Sequence, residues 1–139
     1  MRRVIILFMA AGAIACGSDS PTSPINSVPG NPSGVYALTT INSQALPFTL
    51  GQNDTASAQL TGGAITLGTD GSFLDVLNVV VTVPSGTSLE ADTLAGTYSV
   101  SGNSVVFVPN DNSGSYVAAL TDTSLVEANP SYTIVYRKQ

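Results

Sequence analysis

Histidine and tryptophan are absent from this 139-residue chain, cysteine occurs once, and charged side chains make up only 9% of it. Each shortage closes a route. Without histidine there is no Ser-His-Asp or Cys-His nucleophile system, no histidine-ligated zinc and no imidazole general base. With Cys16 as the one thiol, no intramolecular disulfide can form, so a folded core must hold by packing and strand pairing. Cations are scarce too: four Lys and Arg stand against nine Asp and Glu, a formal net charge of −5. Such a chain repels phosphate backbones, and nucleic acid is excluded as a partner. No Gly-rich phosphate loop or dinucleotide fingerprint occurs, so no cofactor is expected. The 43% of hydrophobic residues is nevertheless enough to build a core, unlike the composition of charge-rich disordered chains.

What is present begins with an address. Arg2 and Arg3 form a basic head, Val4 to Ala15 is an unbroken run of apolar and small residues, and Cys16 ends it. The run is too short for a spanning helix and has the layout of a secretory signal peptide over residues 1–15. Ala13-Ile14-Ala15-Cys16 resembles the lipobox of bacterial lipoproteins. That resemblance implies that Cys16 is acylated and that the exported protein is anchored in the cell envelope by two or three acyl chains, enough for a lasting tether. Gly17, where the family's inner-membrane retention signal has aspartate, implies the outer membrane. Ala13-Ile14-Ala15 also satisfies an ordinary secretory cleavage site, which would release a soluble protein. Signal removal takes Arg2 and Arg3 away, leaving Arg137 and Lys138 as the cations.

Residues 16–33 are rich in Ser, Pro, Asn and Gly, with Pro21, Pro24, Pro29 and Pro32, and are expected to form a flexible, semi-stiff spacer. From residue 34 to 139 the pattern changes to short β-type runs. Strands are expected at Val35–Thr40, Ala45–Leu50, Thr55–Thr61, Ala64–Gly68, Ser72–Val83, Asp92–Ser101, Ser104–Pro109, Ser115–Thr121, Thr123–Ala128 and Ser131–Lys138. Asp70-Gly71 and Gly102-Asn103 read as tight hairpin turns, the first of type I′, and Asn112-Ser113-Gly114 and Thr121-Asp122-Thr123 as further reversals. A Gly-x-aromatic triplet recurs at Gly34-Val35-Tyr36, Gly71-Ser72-Phe73, Gly96-Thr97-Tyr98 and Gly114-Ser115-Tyr116, where glycine relieves the backbone and the ring plugs the core. Sequential hairpins make an all-β, antiparallel up-and-down meander. Closing it into a barrel removes its edges, and a two-sheet β-sandwich is the alternative.

Gly34-Val35-Tyr36 at the first strand and Arg137 near the last resemble the Gly-x-Trp motif and the packing basic residue of lipocalins. The chain is similar in this respect to the small lipocalin-like domains of bacterial lipoproteins. The resemblance implies that Tyr36 and Arg137 close one barrel end by a cation–π contact of about 0.5–2 kcal/mol. A barrel of eight strands is just wide enough to be filled by side chains or to hold one small ligand. Phe73, Tyr98, Phe107, Tyr116 and Ile134 are the interior residues expected to meet a small apolar ligand.

Catalysis is not expected. Asp70, Asp75, Glu90 and Asp92 could form the carboxylate pair of a glycosidase, but Glu90 and Asp92 read as a solvated loop after Pro84-Ser85-Gly86. Asn110-Asp111-Asn112-Ser113-Gly114 looks acidic, but Asx turns explain it without a metal. Leu77, Val79, Val81 and Val83 share one strand face while Val76 and Val80 share the other, so the outer apolar face is either covered, by the loop from Pro84 to Asp92, or a sticky surface for a partner or ligand. Two functions follow as expectations: an anchored barrel holding a small hydrophobic molecule, or a solid-cored, non-catalytic lipoprotein that meets another envelope protein.

Overall fold

Alternation along a strand puts successive side chains on opposite faces, and here it sorts nearly every residue into an inner or an outer set. The computed structural model describes residues 31–139. The signal peptide 1–15, the lipidation site Cys16 and all but the last three residues of the expected spacer lie outside the described residues. Ten strands make up the rest: β1 Gly34–Ile41, β2 Gln44–Ala45, β3 Phe48–Gln52, β4 Ser57–Leu67, β5 Ser72–Val83, β6 Gly86–Ser101, β7 Ser104–Pro109, β8 Tyr116–Leu120, β9 Ser124–Ala128 and β10 Thr133–Lys138.

From β4 to β10 every strand pairs antiparallel with its sequence neighbour, and β10 pairs with β1. The first half of β1 then returns to β4, from Gly34 opposite Leu67 to Ala37 opposite Ala64. Eight strands therefore close into a barrel, not a sandwich. β2 and β3 stand outside the ring: β2 pairs with Thr40 and Ile41 at the end of β1, and β3 with the first part of β4. They fill the ladder positions that β1 and β4 leave vacant where those two strands part.

Three spans differ from the sequence reading. Ala45–Leu50 is not one strand: β2 ends at Ala45 and β3 begins at Phe48, with Pro47, which has no N–H to give to a ladder, between them. Thr55–Thr61 and Ala64–Gly68 are one strand, β4, which runs through Gly62 and Gly63 with a register irregularity between Leu60 and Gly62. A β-carbon on Gly63 would lie 2.7 Å from the Val76 carbonyl, so glycine permits close approach here instead of ending the strand. The stretch after Pro84 is also strand: Val83 pairs with Gly86, and ladder pairs continue to Leu77 opposite Asp92. Residues 86–91 thus lie beside the valine run in the same sheet and do not cover its face. Unshared by β7, this part of β6 is the free edge of a sheet extension in which β5 stays paired with Ser57–Ala64 of β4, and β4 with β3; the β5–β6 hairpin arm forms that edge.

Turn chemistry fixes the register. Asn42 and Ser43, both at positive φ (49° and 65°), make the two-residue reversal between β1 and β2, and the Asn42 carboxamide oxygen accepts a 2.8 Å hydrogen bond from the Thr133 N–H. The Asp70-Gly71 reversal is longer than two residues: the Gly68 N–H donates to Ser72 O, Gly71 sits at φ 82°, and Asp70 Oδ1 accepts from both the N–H and the hydroxyl of Ser72. Gly102, at φ 58°, makes the tight β6–β7 turn.

The barrel interior is filled by large side chains, and at the end where the chain enters it leaves a pocket of about 170 Å³ beside Tyr36, Leu120 and Lys138. Tyr36, Ile65, Leu67, Val105, Phe107, Leu120, Leu125 and Tyr136 are the largest fully buried side chains, each such burial contributing roughly 1.5–3 kcal/mol. Pro32 accepts a 2.7 Å hydrogen bond from the Tyr36 hydroxyl and Asn31 one from Lys138 Nζ, fastening the last spacer residues across this end. The cation over the Tyr36 ring is Lys138, with Nζ 5.6 Å from the centroid. Arg137 is exposed, because alternation after inward Tyr136 turns it outward and returns Lys138 to the inside.

Candidate functional site

At the opposite end the space left is larger. A cavity of about 390 Å³ lies between the β7–β8 and β9–β10 turns and reaches down to the buried residues Asp75 and Tyr136. Its apolar wall is Leu77 of β5, Leu94 of β6 and Ile134 of β10, and its polar wall is Glu127 of β9 with Tyr116, Tyr132 and Tyr136. Cross-strand pairing brings these together. Asp75 is opposite Leu94, and Glu127 opposite Ile134, with every one of them on the inward face.

Asp75 is the group out of place. It follows Phe73 and precedes Leu77 on the inner face of β5, is 8% exposed, and its Oδ1 has no hydrogen-bond partner among the described residues. Burial pushes its carboxyl up to about 7, Glu127 and then Asp92 add charge repulsion in the same direction, and the Tyr136 hydroxyl and the Val76 backbone oppose them. Burial likewise raises Glu127, against a hydrogen bond from Tyr132. The hydroxyls of Tyr116 and Tyr136 are raised, first by burial and then by Asp75 and Glu127. Arg137 and Lys138 are the cations among the described residues, and neither lines the cavity. The chamber is therefore acidic, aromatic and partly apolar, with hydrogen-bonding capacity facing its space.

Of the five residues expected at an apolar ligand, Tyr116 and Ile134 line the cavity. Phe73 and Phe107 form its floor below: their rings meet edge to face at 5.0 Å, and Tyr116 stacks on Phe107 at 4.8 Å with 17° between planes. Such pairs contribute about 0.5–1.5 kcal/mol beyond their buried area. Tyr98 is at the other end, its hydroxyl donating 2.7 Å to Gly68 O. Among the acids considered for chemistry, Asp70 is held in its own turn and Glu90 sits exposed on the hairpin arm opposite Val79. Asp92 faces Asp75 from β6, while Asp111 Oδ1 accepts from the Ser113 N–H as an Asx turn. Among the described residues no group of three or more Asp, Glu, Cys or His is placed to hold a metal ion.

Glu127 escapes the sequence reading altogether, and the signal for it was available. An acid two residues after Leu125 falls on the same face as a buried leucine, just as Asp75 does beside Phe73. No protein-family model matches the sequence, and no curated protein matches it either.

Proposed function

We propose that this protein is an exported, lipid-anchored, non-enzymatic β-barrel of lipocalin-like kind that binds a small molecule in the cavity at its mouth. One observation carries the reading: a concave space of about 390 Å³ in which apolar walls and a few convergent polar groups meet above a solid core. That size and mixture match small-molecule sites, which span roughly 300–1,000 Å³. The chain enters at the end away from this mouth, at Asn31, so a tether there leaves the cavity clear. Cys16 as the anchor follows from the lipobox resemblance, and outer-membrane placement from Gly17.

Native mass spectrometry of the full chain, purified gently in detergent from the envelope of the organism that makes it, tests the binding reading. A stoichiometric adduct that organic extraction removes is expected; a clean protein mass in repeated preparations would overturn it. Anchoring is tested separately: labelled fatty acid should enter the wild-type chain and not Cys16→Ser.

A second reading rests on the hairpin arm. Leu89 is 73% exposed and Val83 38%, and both lie beyond the barrel. A solid-cored interaction lipoprotein would use this arm to meet another envelope protein, and Leu89→Ser would then abolish the contact while sparing the fold.

A further inference from the structure

Asp75 gives the cavity a chemical preference, and the following step rests on the ligand-binding reading above. We propose that the cavity takes a small primary amine in its ammonium form, with an apolar or aromatic body, and that Asp75 is its counter-ion and hydrogen-bond acceptor.

Three independent features converge. Asp75 lines the cavity and its Oδ1 is buried and unpartnered, so the carboxylate lacks one donor that a ligand drawn against it can bring. The charged and titratable groups facing Asp75 from the elements around it are Asp92 of β6, Glu127 of β9, Tyr136 of β10 and Tyr116 of β8, joined by Tyr132 in the β9–β10 turn. All are acids or phenols, so the cavity's field is negative and a cation relieves the repulsion within it. Aromatic rings and aliphatic side chains, with Ser113, Ser115 and Asn129 of the turns, supply the remaining walls, and the rings and aliphatic groups suit an ammonium through its charge and its carbon body through burial.

Other ligand classes fit less well. A neutral apolar molecule leaves Oδ1 unpartnered, and an anion meets two carboxylates with no cation lining the space. A quaternary ammonium brings charge without an N–H donor. A bare metal ion finds no group of three ligands among the described residues.

The test is titration calorimetry of the full chain in detergent at pH 8 and low salt with four probes of one shape: phenethylamine, 2-phenylethanol, 3-phenylpropionate and phenethyltrimethylammonium. Phenethylamine is expected to bind at least about tenfold tighter than the alcohol and threefold tighter than the quaternary ion, with no detectable binding of the carboxylate. Asp75→Asn should weaken the amine at least about tenfold and leave the alcohol unchanged. Glu127→Gln, at a half-buried position, provides a second variant and should weaken the amine about threefold. The proposal is overturned if the amine binds no tighter than the alcohol, if the quaternary ion binds tighter, or if a folded Asp75→Asn or Glu127→Gln protein binds the amine as wild type does. Binding of the alcohol alone would overturn the amine and leave the ligand cavity standing. Silence from all four probes would overturn the amine, while the native mass of the purified protein decides the cavity independently.

Discussion

Asp75 is where the sequence departs from what a β-strand core ordinarily contains. Its carboxyl is raised from 3.8 to about 7, so the folded protein holds a proton that the unfolded chain has released over that interval. Folding stability must therefore fall as pH rises from about 4 to about 7, and level off above it, because the unfolded state binds fewer protons. At about 1.4 kcal/mol per pKa unit, the loss is on the order of 4 kcal/mol. Asp75→Asn should remove that dependence: the variant is expected to melt with wild type near pH 4 and clearly above it at pH 8, read by thermal denaturation across the range. Glu127, raised in the same direction, adds to the slope. The position was legible as soon as Phe73, Asp75 and Leu77 were placed on one face. What the sequence could not show is that Glu127, fifty residues later, would share the same cavity, because that depends on barrel closure. Alternation also explains why Lys138 and not Arg137 meets Tyr36: the family resemblance gave the neighbourhood of the cation, and parity after Tyr136 decides which residue turns inward.

At the scale of elements, the strands are held in register by a few positions with little latitude. Gly96 of β6 lies under Phe73, and a β-carbon there would come 2.7 Å from the Phe73 ring edge and press on the backbone of β7. Gly96→Ala is expected to cost about 1–3 kcal/mol in urea denaturation, as overpacking does. Asn42 works differently, through a left-handed backbone and the 2.8 Å bond to the Thr133 N–H. Asn42→Val should destabilise by about 2 kcal/mol, a β-branched residue being poorly suited to positive φ and unable to make that bond. The four Gly-x-aromatic triplets belong here too. Their rings, Tyr36, Phe73, Tyr98 and Tyr116, all turn inward, as the sequence pattern implied. The β4 strand and the β5–β6 arm were less legible because glycine and proline, read as breakers, act otherwise here. Gly62 and Gly63 allow a register irregularity and close contact inside a continuous strand, and Pro84 sits in a two-residue turn between strands that stay paired.

The whole molecule is a closed eight-stranded barrel with two unlike ends. One is fastened by Pro32 and Lys138 and keeps a pocket of about 170 Å³; the other holds the acidic cavity of about 390 Å³. The hairpin turns made closure readable in outline, but β2 and β3 leaving the ring was not read, although Pro47 interrupts the expected strand Ala45–Leu50 where the two separate. The environment of Asp75 is the product of this closure: β5 carries it, β6 and β9 bring acids toward it, and β10 brings Tyr136 over it. Its ionisation is thus a readout of the entire arrangement. The most direct measurement is a carboxyl-carbon NMR titration of the full chain with selectively labelled aspartate, assigned by Asp75→Asn. The account predicts that Asp75 titrates near 7, well above the other aspartates. A midpoint near 4 would mean that the carboxylate is solvated, and would contradict the buried acidic cavity on which the proposed function stands.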